Sequence, residues 1–78
     1  MKAYKIEINS PDYGFTENCN FILTATDKEE AFKMILLSQI EKGYDPDTNW
    51  VITNCYSLNA IDEGIDLSIA KIIYSESP

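Results

Sequence analysis

The two cysteines are the residues of this sequence best suited to nucleophilic chemistry. A reactive thiol needs a neighbouring base, or a cation or helix N-terminus that lowers its pKa. The chain contains no histidine and no arginine, and Cys19 and Cys55 each lie in an apolar, strand-like run. Free cysteine in such a run behaves as a small buried hydrophobic residue. We therefore expect two reduced thiols without a catalytic role; a single disulfide between them is the alternative.

Carboxylates could bind a metal ion, and one stretch resembles a calcium loop. Asp45, Asp47 and Asn49 supply oxygens at the first, third and fifth positions. The sixth position requires glycine and holds Trp50, and the twelfth requires glutamate and holds Tyr56. The spacing therefore fails where the geometry is strictest. We expect no metal site and no cofactor, and a solvated turn instead.

Carboxylate pairs could also act as general acid and base, but they need an enclosing cleft. A chain of 78 residues with one helix over a small sheet rarely forms one. The three glycines, Gly14, Gly43 and Gly64, are isolated, and none begins a phosphate-binding helix. The sequence therefore favours a protein that is not an enzyme. A small hydrolase or metal-dependent enzyme is the least favoured function.

Net charge restricts the class of partner. Thirteen acidic residues against six lysines give a formal charge of -7. Such a chain would be repelled by nucleic acid and by anionic membranes. A basic protein or nucleoprotein complex is the favoured partner, although negative charge that serves only solubility is the alternative. No run is long and apolar enough for a membrane span, and no signal peptide is recognisable, which predicts a cytoplasmic protein.

The residue pattern predicts the elements that position these groups. Alternation over residues 3–9 and 19–26 indicates two antiparallel strands. Asp27 and Glu30 form a capping-box pattern that begins a helix over 28–42, and Gly43 ends it. Residues 44–49 are a loop, and residues 50–58 form a strand whose inner face is ambiguous. A last strand covers residues 67–74 after a break at 62–64.

The predicted fold class is therefore α+β, with the order β-β-α-β-β and one helix packed on a four-stranded, mainly antiparallel sheet. Residues 1–78 form a single domain, and residues 75–78 form a frayed tail. A right-handed crossover makes the second and third strands parallel. These two strands are either adjacent or separated by the first strand.

This topology brings the 10–18 and 43–49 loops to one end of the domain. Exposed aromatic residues surrounded by charge are typical of protein interfaces. The predicted partner-binding residues are Asp12, Tyr13, Phe15, Glu17, Tyr44, Asp45, Asp47 and Trp50. A secondary acidic patch at the opposite end combines the helix start with a predicted hairpin tip and comprises Asp27, Glu29, Glu30, Asp62, Glu63 and Asp66.

In size, charge and element order the whole chain resembles the small acidic anti-CRISPR and anti-defence proteins of phages. The resemblance implies a stoichiometric inhibitor that blocks the nucleic-acid-binding surface of a host effector in the host cytoplasm, with carboxylates in place of phosphates. The alternative function is a small structural or housekeeping interaction module, such as a homodimer paired through an edge strand, with no inhibitory role.

Overall fold

The computed structural model describes all residues from Met1 to Pro78. The chain contains four strands and two α-helices, one of them a single turn. Their bounds are β1 Lys2–Asn9, β2 Cys19–Ala25, α1 Lys28–Glu41, β3 Val51–Leu58, α2 Ala60–Glu63 and β4 Lys71–Glu76. A 3₁₀ turn at Pro11–Tyr13 lies between β1 and β2.

The strands form one sheet in the order β3-β1-β2-β4, and every neighbouring pair is antiparallel. With the helix packed on this sheet, the α+β fold class is confirmed. Strands β2 and β3 run parallel with β1 between them, which is the second of the two predicted arrangements. The 10–18 and 42–50 loops therefore lie at one end of the sheet, and the 59–70 connection lies at the other.

The core lies between α1 and the helix-facing side of the sheet. Ile6 pairs with Phe21 on β2 and with Cys55 on β3, so these three side chains share that face. All fifteen buried residues lie between Ala3 and Trp50. The two edge strands, β3 and β4, contribute no buried residue, so the N-terminal part of the chain supplies the whole of the buried core.

Helix α1 begins as its capping pattern predicts. The Asp27 side chain accepts a hydrogen bond from the Glu30 amide at 2.8 Å, and Glu30 Oε1 accepts one from the Thr26 amide at 2.8 Å. A narrow stripe of Ala31, Ile35 and Gln39 is buried against the sheet.

Neither helix of the structure is both long enough and apolar enough to cross a membrane.

The predicted position of the last strand was wrong. Residues 67–70 belong to the connection, and β4 starts at Lys71 and continues to Glu76, so Ser75 and Glu76 are not part of a tail. Strands β3 and β4 lie at opposite edges of the sheet, so the segment between them crosses the end of the sheet and is not a hairpin tip. This segment also covers Thr24 on β2, which is buried and whose hydroxyl donates to the Ile69 carbonyl at 2.6 Å.

A β-bulge explains why the inner face of β3 was ambiguous. Ile8 pairs with Ile52 and Glu7 pairs with Asn54, so Thr53 is an extra residue in the ladder. The bulge puts Ile52 on the helix-facing side and Tyr56 on the other, although simple alternation assigned both to one face.

Neither cysteine forms a disulfide; Cys19 is buried, and Cys55 is only half-buried on this edge strand.

Candidate functional site

The two loops predicted to meet do meet, and hydrogen bonds join them. The Asn49 amide donates to Asp12 Oδ2 at 2.7 Å, and the Tyr44 hydroxyl donates to Glu17 Oε2 at 2.7 Å. Each bond joins the 10–18 loop to the 42–50 loop. We call this surface the acid-aromatic end; its members are Asp12, Tyr13, Phe15, Glu17, Tyr44, Asp45, Asp47, Thr48 and Trp50.

An aromatic cluster supports the acid-aromatic end. Tyr44 packs edge-on against Trp50 with ring centroids 5.0 Å apart, and Tyr13 lies 5.9 Å from Trp50 and 5.8 Å from Tyr44. Trp50 is only 7% exposed, so its ring supports the two tyrosines from below and is not a contact residue at the surface. Such aromatic pairs add about 0.5–1.5 kcal/mol beyond their buried area, which stabilises the packing of the two loops against each other.

A buried asparagine at the end of β1 fixes the first loop. The Asn9 side chain donates to the Phe15 carbonyl at 2.8 Å and accepts from the Glu17 amide at 3.2 Å. Gly14 and Phe15 both have left-handed backbone, with φ of 63° and 60°. This conformation is strained for a residue with a side chain, and it leaves the Phe15 ring 55% exposed. The loop therefore presents a large apolar side chain to solvent in a defined position.

The carboxylates of the acid-aromatic end surround a shallow depression of about 210 Å³. It is lined by Asp12, Tyr13, Asp45, Asp47 and Thr48, and no lysine contributes to it. The Asp47 amide donates to Asp45 Oδ1 at 2.8 Å, which orders the loop as an Asx turn. Nowhere in the chain do three or more His, Cys, Asp or Glu side chains form a group that could hold a metal ion. Carboxylate and hydroxyl oxygens in this arrangement accept hydrogen bonds from an ammonium or guanidinium group.

The nearest lysine in the sequence is directed away from these acids. The Lys42 ammonium lies 4.8 Å from the centroid of the Phe21 ring and 3.5 Å from the Ser77 hydroxyl. No lysine of the chain therefore lines the depression formed by Asp12, Asp45 and Asp47. Electrostatics also affect Tyr44: the hydrogen bond to Glu17 is the main cause of its raised pKa, and burial adds to it.

The structure explains part of the secondary acidic patch without a ligand. Asp27 and Glu30 cap α1, and Asp66 accepts a hydrogen bond from the Ser68 amide at 2.8 Å, which lowers the pKa of the Asp66 carboxyl. Glu29 is exposed on the first turn of α1, while Asp62 and Glu63 form the short helix α2. No hydrogen bond joins the two halves of this patch, so the structure does not organise it as it organises the acid-aromatic end.

The face of the sheet turned away from α1, which we call the open face, carries a row of side chains that the sequence did not reveal. The pairing aligns Tyr56, Lys5, Ile22 and Tyr74 in one row across all four strands. Both tyrosines are exposed. The sequence pattern does not indicate this row, because bulges in the β1–β3 and β2–β4 pairings interrupt the alternation of both edge strands.

A polar row on the open face is joined by hydrogen bonds. The Thr53 hydroxyl and the Asn54 side-chain amide both donate to Glu7 Oε1, at 2.8 and 2.9 Å. Glu7 keeps its negative charge, and these two bonds hold one of its carboxylate oxygens in place. Comparisons of the chain with protein-family models, with curated proteins and with solved structures returned no match.

Proposed function

We propose that this chain is a non-enzymatic inhibitor that binds a basic protein or nucleoprotein complex through its acid-aromatic end. There it occupies a surface that would otherwise bind nucleic acid. The observation that supports this proposal is a depression lined by Asp12, Asp45 and Asp47, with exposed Tyr13 beside it and no lysine. Action in the cytoplasm of a host cell, as a phage anti-defence protein of the anti-CRISPR type, is the setting that fits this chemistry.

Preorganisation is the physical argument for binding at this end. Asp12 and Asp45 are each held by a backbone amide, and the loops that carry them are joined to each other. A basic partner therefore meets carboxylates whose positions need little further ordering, which reduces the entropic cost of association. Opposite potentials on the two surfaces also increase the association rate.

Phe15 and Tyr13 supply the apolar part of the proposed contact. Charge alone gives association that is fast but weak and sensitive to salt. Interfaces obtain most of their affinity from a few large side chains that become fully desolvated. Phe15, held by the Asn9 bonds and exposed to solvent, is the residue of this end best placed to fill a pocket on the partner.

The first experiment locates the site with a defined probe. An arginine-rich peptide is titrated into the ¹⁵N-labelled protein, and amide chemical-shift changes are mapped. We expect the largest changes in residues 10–18 and 42–50. The triple variant Asp12→Asn, Asp45→Asn, Asp47→Asn should bind the peptide about tenfold more weakly, at roughly 0.5 kcal/mol per removed charge pair.

A matched control distinguishes the effect of charges at the proposed site from the effect of net charge. The triple variant Asp62→Asn, Glu63→Gln, Asp66→Asn loses the same three charges at the opposite end of the sheet. Asn and Gln keep an acceptor oxygen, so the Asx turns survive in both variants. Equal losses of affinity in the two variants, or shifts spread over the whole surface, would show that the carboxylates serve solubility alone.

The inhibitory role is tested by competition. A basic protein captured from host lysate by the wild-type chain should be released by added duplex DNA or RNA, and by salt raised from about 50 to 500 mM. The Phe15→Ala variant should capture it less well. A captured protein that retains both the inhibitor and its nucleic acid would contradict the blocking mechanism. It would favour the alternative function, a small interaction module with no inhibitory role.

A further inference from the structure

The edge strand β3 has one side without a partner. It forms hydrogen bonds only with β1, so its outward backbone N–H and C=O groups have no acceptor or donor in the sheet. Its eight residues give a free edge about 27 Å long at the usual rise per residue. Natural proteins usually protect such an edge with charged side chains, proline or a short strand, because it can pair with another chain.

β3 lacks the charged residues that protect the other edge. Its sequence, Val-Ile-Thr-Asn-Cys-Tyr-Ser-Leu, contains no acidic or basic residue and no proline. The opposite edge, β4, is shorter and carries Lys71 at one end and Glu76 at the other, both exposed. Large side chains on β3 are also left open: Tyr56 is 55% exposed and Ile52 is 39% exposed.

Charge indicates which occupant suits this edge. A chain of charge -7 repels its own copies wherever acidic surfaces face each other. β3 is an eight-residue strand on which two copies can meet without one charge on either pairing strand. A basic partner, in contrast, gains nothing from an uncharged strand and is drawn to the carboxylates elsewhere on the chain.

The side chains of β3 are also compatible with self-pairing. In an antiparallel pair centred on Tyr56, Cys55 lies opposite Ser57 of the second copy, and Asn54 lies opposite Leu58. Each pair then shares a face, because Asn54, Tyr56 and Leu58 are on the open face and Cys55 and Ser57 face the helix side. Two-fold symmetry pairs residues 54–58 of both free edges at once, as an isologous dimer requires.

We infer that the chain forms a homodimer in which β3 of one copy pairs antiparallel with β3 of a second, giving a continuous eight-stranded sheet. This inference is independent of the proposed function. The acid-aromatic end lies outside β3 and remains accessible in each copy.

Sedimentation velocity over a micromolar dilution series tests the dimer. The wild-type chain should sediment at twice its monomer mass of 8.9 kDa. Ser57→Lys introduces a charge on the free edge and should give a monomer. The matched control is Ser75→Lys, since Ser75 is an exposed serine on the helix-facing side of the other edge strand and should leave the dimer intact.

A cross-linking readout uses the wild-type chain for its main result. Cys55 is half-buried on β3, and Cys19 is fully buried. In the pairing centred on Tyr56 the two Cys55 residues are diagonal neighbours, about 7–8 Å apart. A short bismaleimide should therefore link the wild-type chain into dimers, and Cys55→Ser, but not Cys19→Ser, should abolish the product.

Several results would overturn the inference. A wild-type chain that is monomeric throughout the series contradicts it, as does dissociation by Ser75→Lys with no effect of Ser57→Lys. The triple variant at Asp12, Asp45 and Asp47 should remain dimeric. Loss of peptide binding with an intact dimer, or the reverse, distinguishes failure of one proposal from failure of the other.

Discussion

Gln39 is a polar residue in the centre of an apolar core, and its hydrogen bonding is incomplete. Its side chain is fully buried on α1, where its amide nitrogen lies 3.2 Å from the sulfur of Cys19. Its Oε1 atom has no hydrogen-bond partner. Sulfur is a weak acceptor, and a buried carbonyl oxygen without a donor costs about 1–3 kcal/mol. The residue therefore destabilises the fold locally.

Replacing Gln39 with methionine should stabilise the protein. Methionine has a similar length and no polar atom to satisfy, so we expect the free energy of unfolding to rise by about 1 kcal/mol. Urea denaturation followed by circular dichroism measures the change. The Gln39→Ala variant, which leaves a cavity, serves as the control and should be less stable than Gln39→Met. A clear loss of stability in the methionine variant would show that the amide forms a favourable bond with a group such as a buried water.

The bond from the Tyr44 hydroxyl to Glu17 makes stability depend on alkaline pH. At neutral pH, Tyr44→Phe should lower the free energy of unfolding by about 1 kcal/mol, the usual net value of one such bond. The pKa of Tyr44 is raised in the folded state above its ordinary value of 10.0, mainly by that bond. The contribution is therefore fully present below pH 10 and is lost as the pH rises through the folded-state pKa.

Unfolding measured between neutral pH and pH values above 10 checks this dependence. The difference between wild type and Tyr44→Phe should stay constant up to pH 10 and shrink above it. The Tyr56→Phe variant is the control, because the Tyr56 hydroxyl is exposed and bonds only to Asn54 at 3.4 Å. A difference that shrinks already near neutral pH would assign the effect to another group.

Among the elements, α1 depends on its first turn. Asp27→Ala removes the bond to the Glu30 amide and should lower the free energy of unfolding by about 1 kcal/mol. Glu29→Ala removes a charge from the same turn without breaking a capping bond, and its effect should be only a few tenths of a kcal/mol. Thermal unfolding of both variants makes the comparison. Equal losses in the two variants would mean that the interaction with the helix dipole, and not the capping hydrogen bond, accounts for the stabilisation.

Elements with a regular local pattern were predictable from the sequence. β1, β2 and α1 have uninterrupted alternation or a clear cap, and the structure confirms their bounds to within one residue. β4 was misplaced because Leu67, Ile69 and Ala70 are apolar yet belong to a connection that crosses the end of the sheet. The faces of β3 could not be assigned because one inserted residue, Thr53, reverses the alternation.

The candidate site was predictable to the extent that topology determines it. The meeting of the two loops follows from strand directions alone, and the bonds from Asn49 to Asp12 and from Tyr44 to Glu17 confirm it. The burial of Trp50 and the exposure of Phe15 could not be predicted, because both depend on loop conformation. The row of Tyr56 and Tyr74 on the open face was missed because register shifts interrupt the alternation of both edge strands.

For the whole molecule, the excess of negative charge predicts an unusual response to salt. The Debye length falls from about 30 Å at 0.01 M salt to about 8 Å at 0.15 M. The molecule measures 36 × 19 × 18 Å, so at low salt every carboxylate interacts with nearly all others. Raising sodium chloride over this range should increase Tm by about 5 °C, which corresponds to roughly 1 kcal/mol.

Differential scanning fluorimetry in sodium chloride and in potassium chloride measures the salt response. The two salts should give the same curve, because the effect is screening and not specific binding. The variant with Asp62, Glu63 and Asp66 neutralised has three fewer negative charges, so its Tm should rise less. A Tm that falls with salt would mean that attractive charge pairs outweigh repulsion in the folded chain.

The confinement of all buried side chains to the stretch from Ala3 to Trp50 has a consequence for biosynthesis. The ribosome releases the N-terminal part of a chain first, and folding can begin while translation continues. Residues 1–50 carry every fully buried side chain, so the β1–β2 hairpin and α1 leave the ribosome before the two edge strands do. The edge strands leave last, and Cys55 and Ile72 then complete the packing against the core.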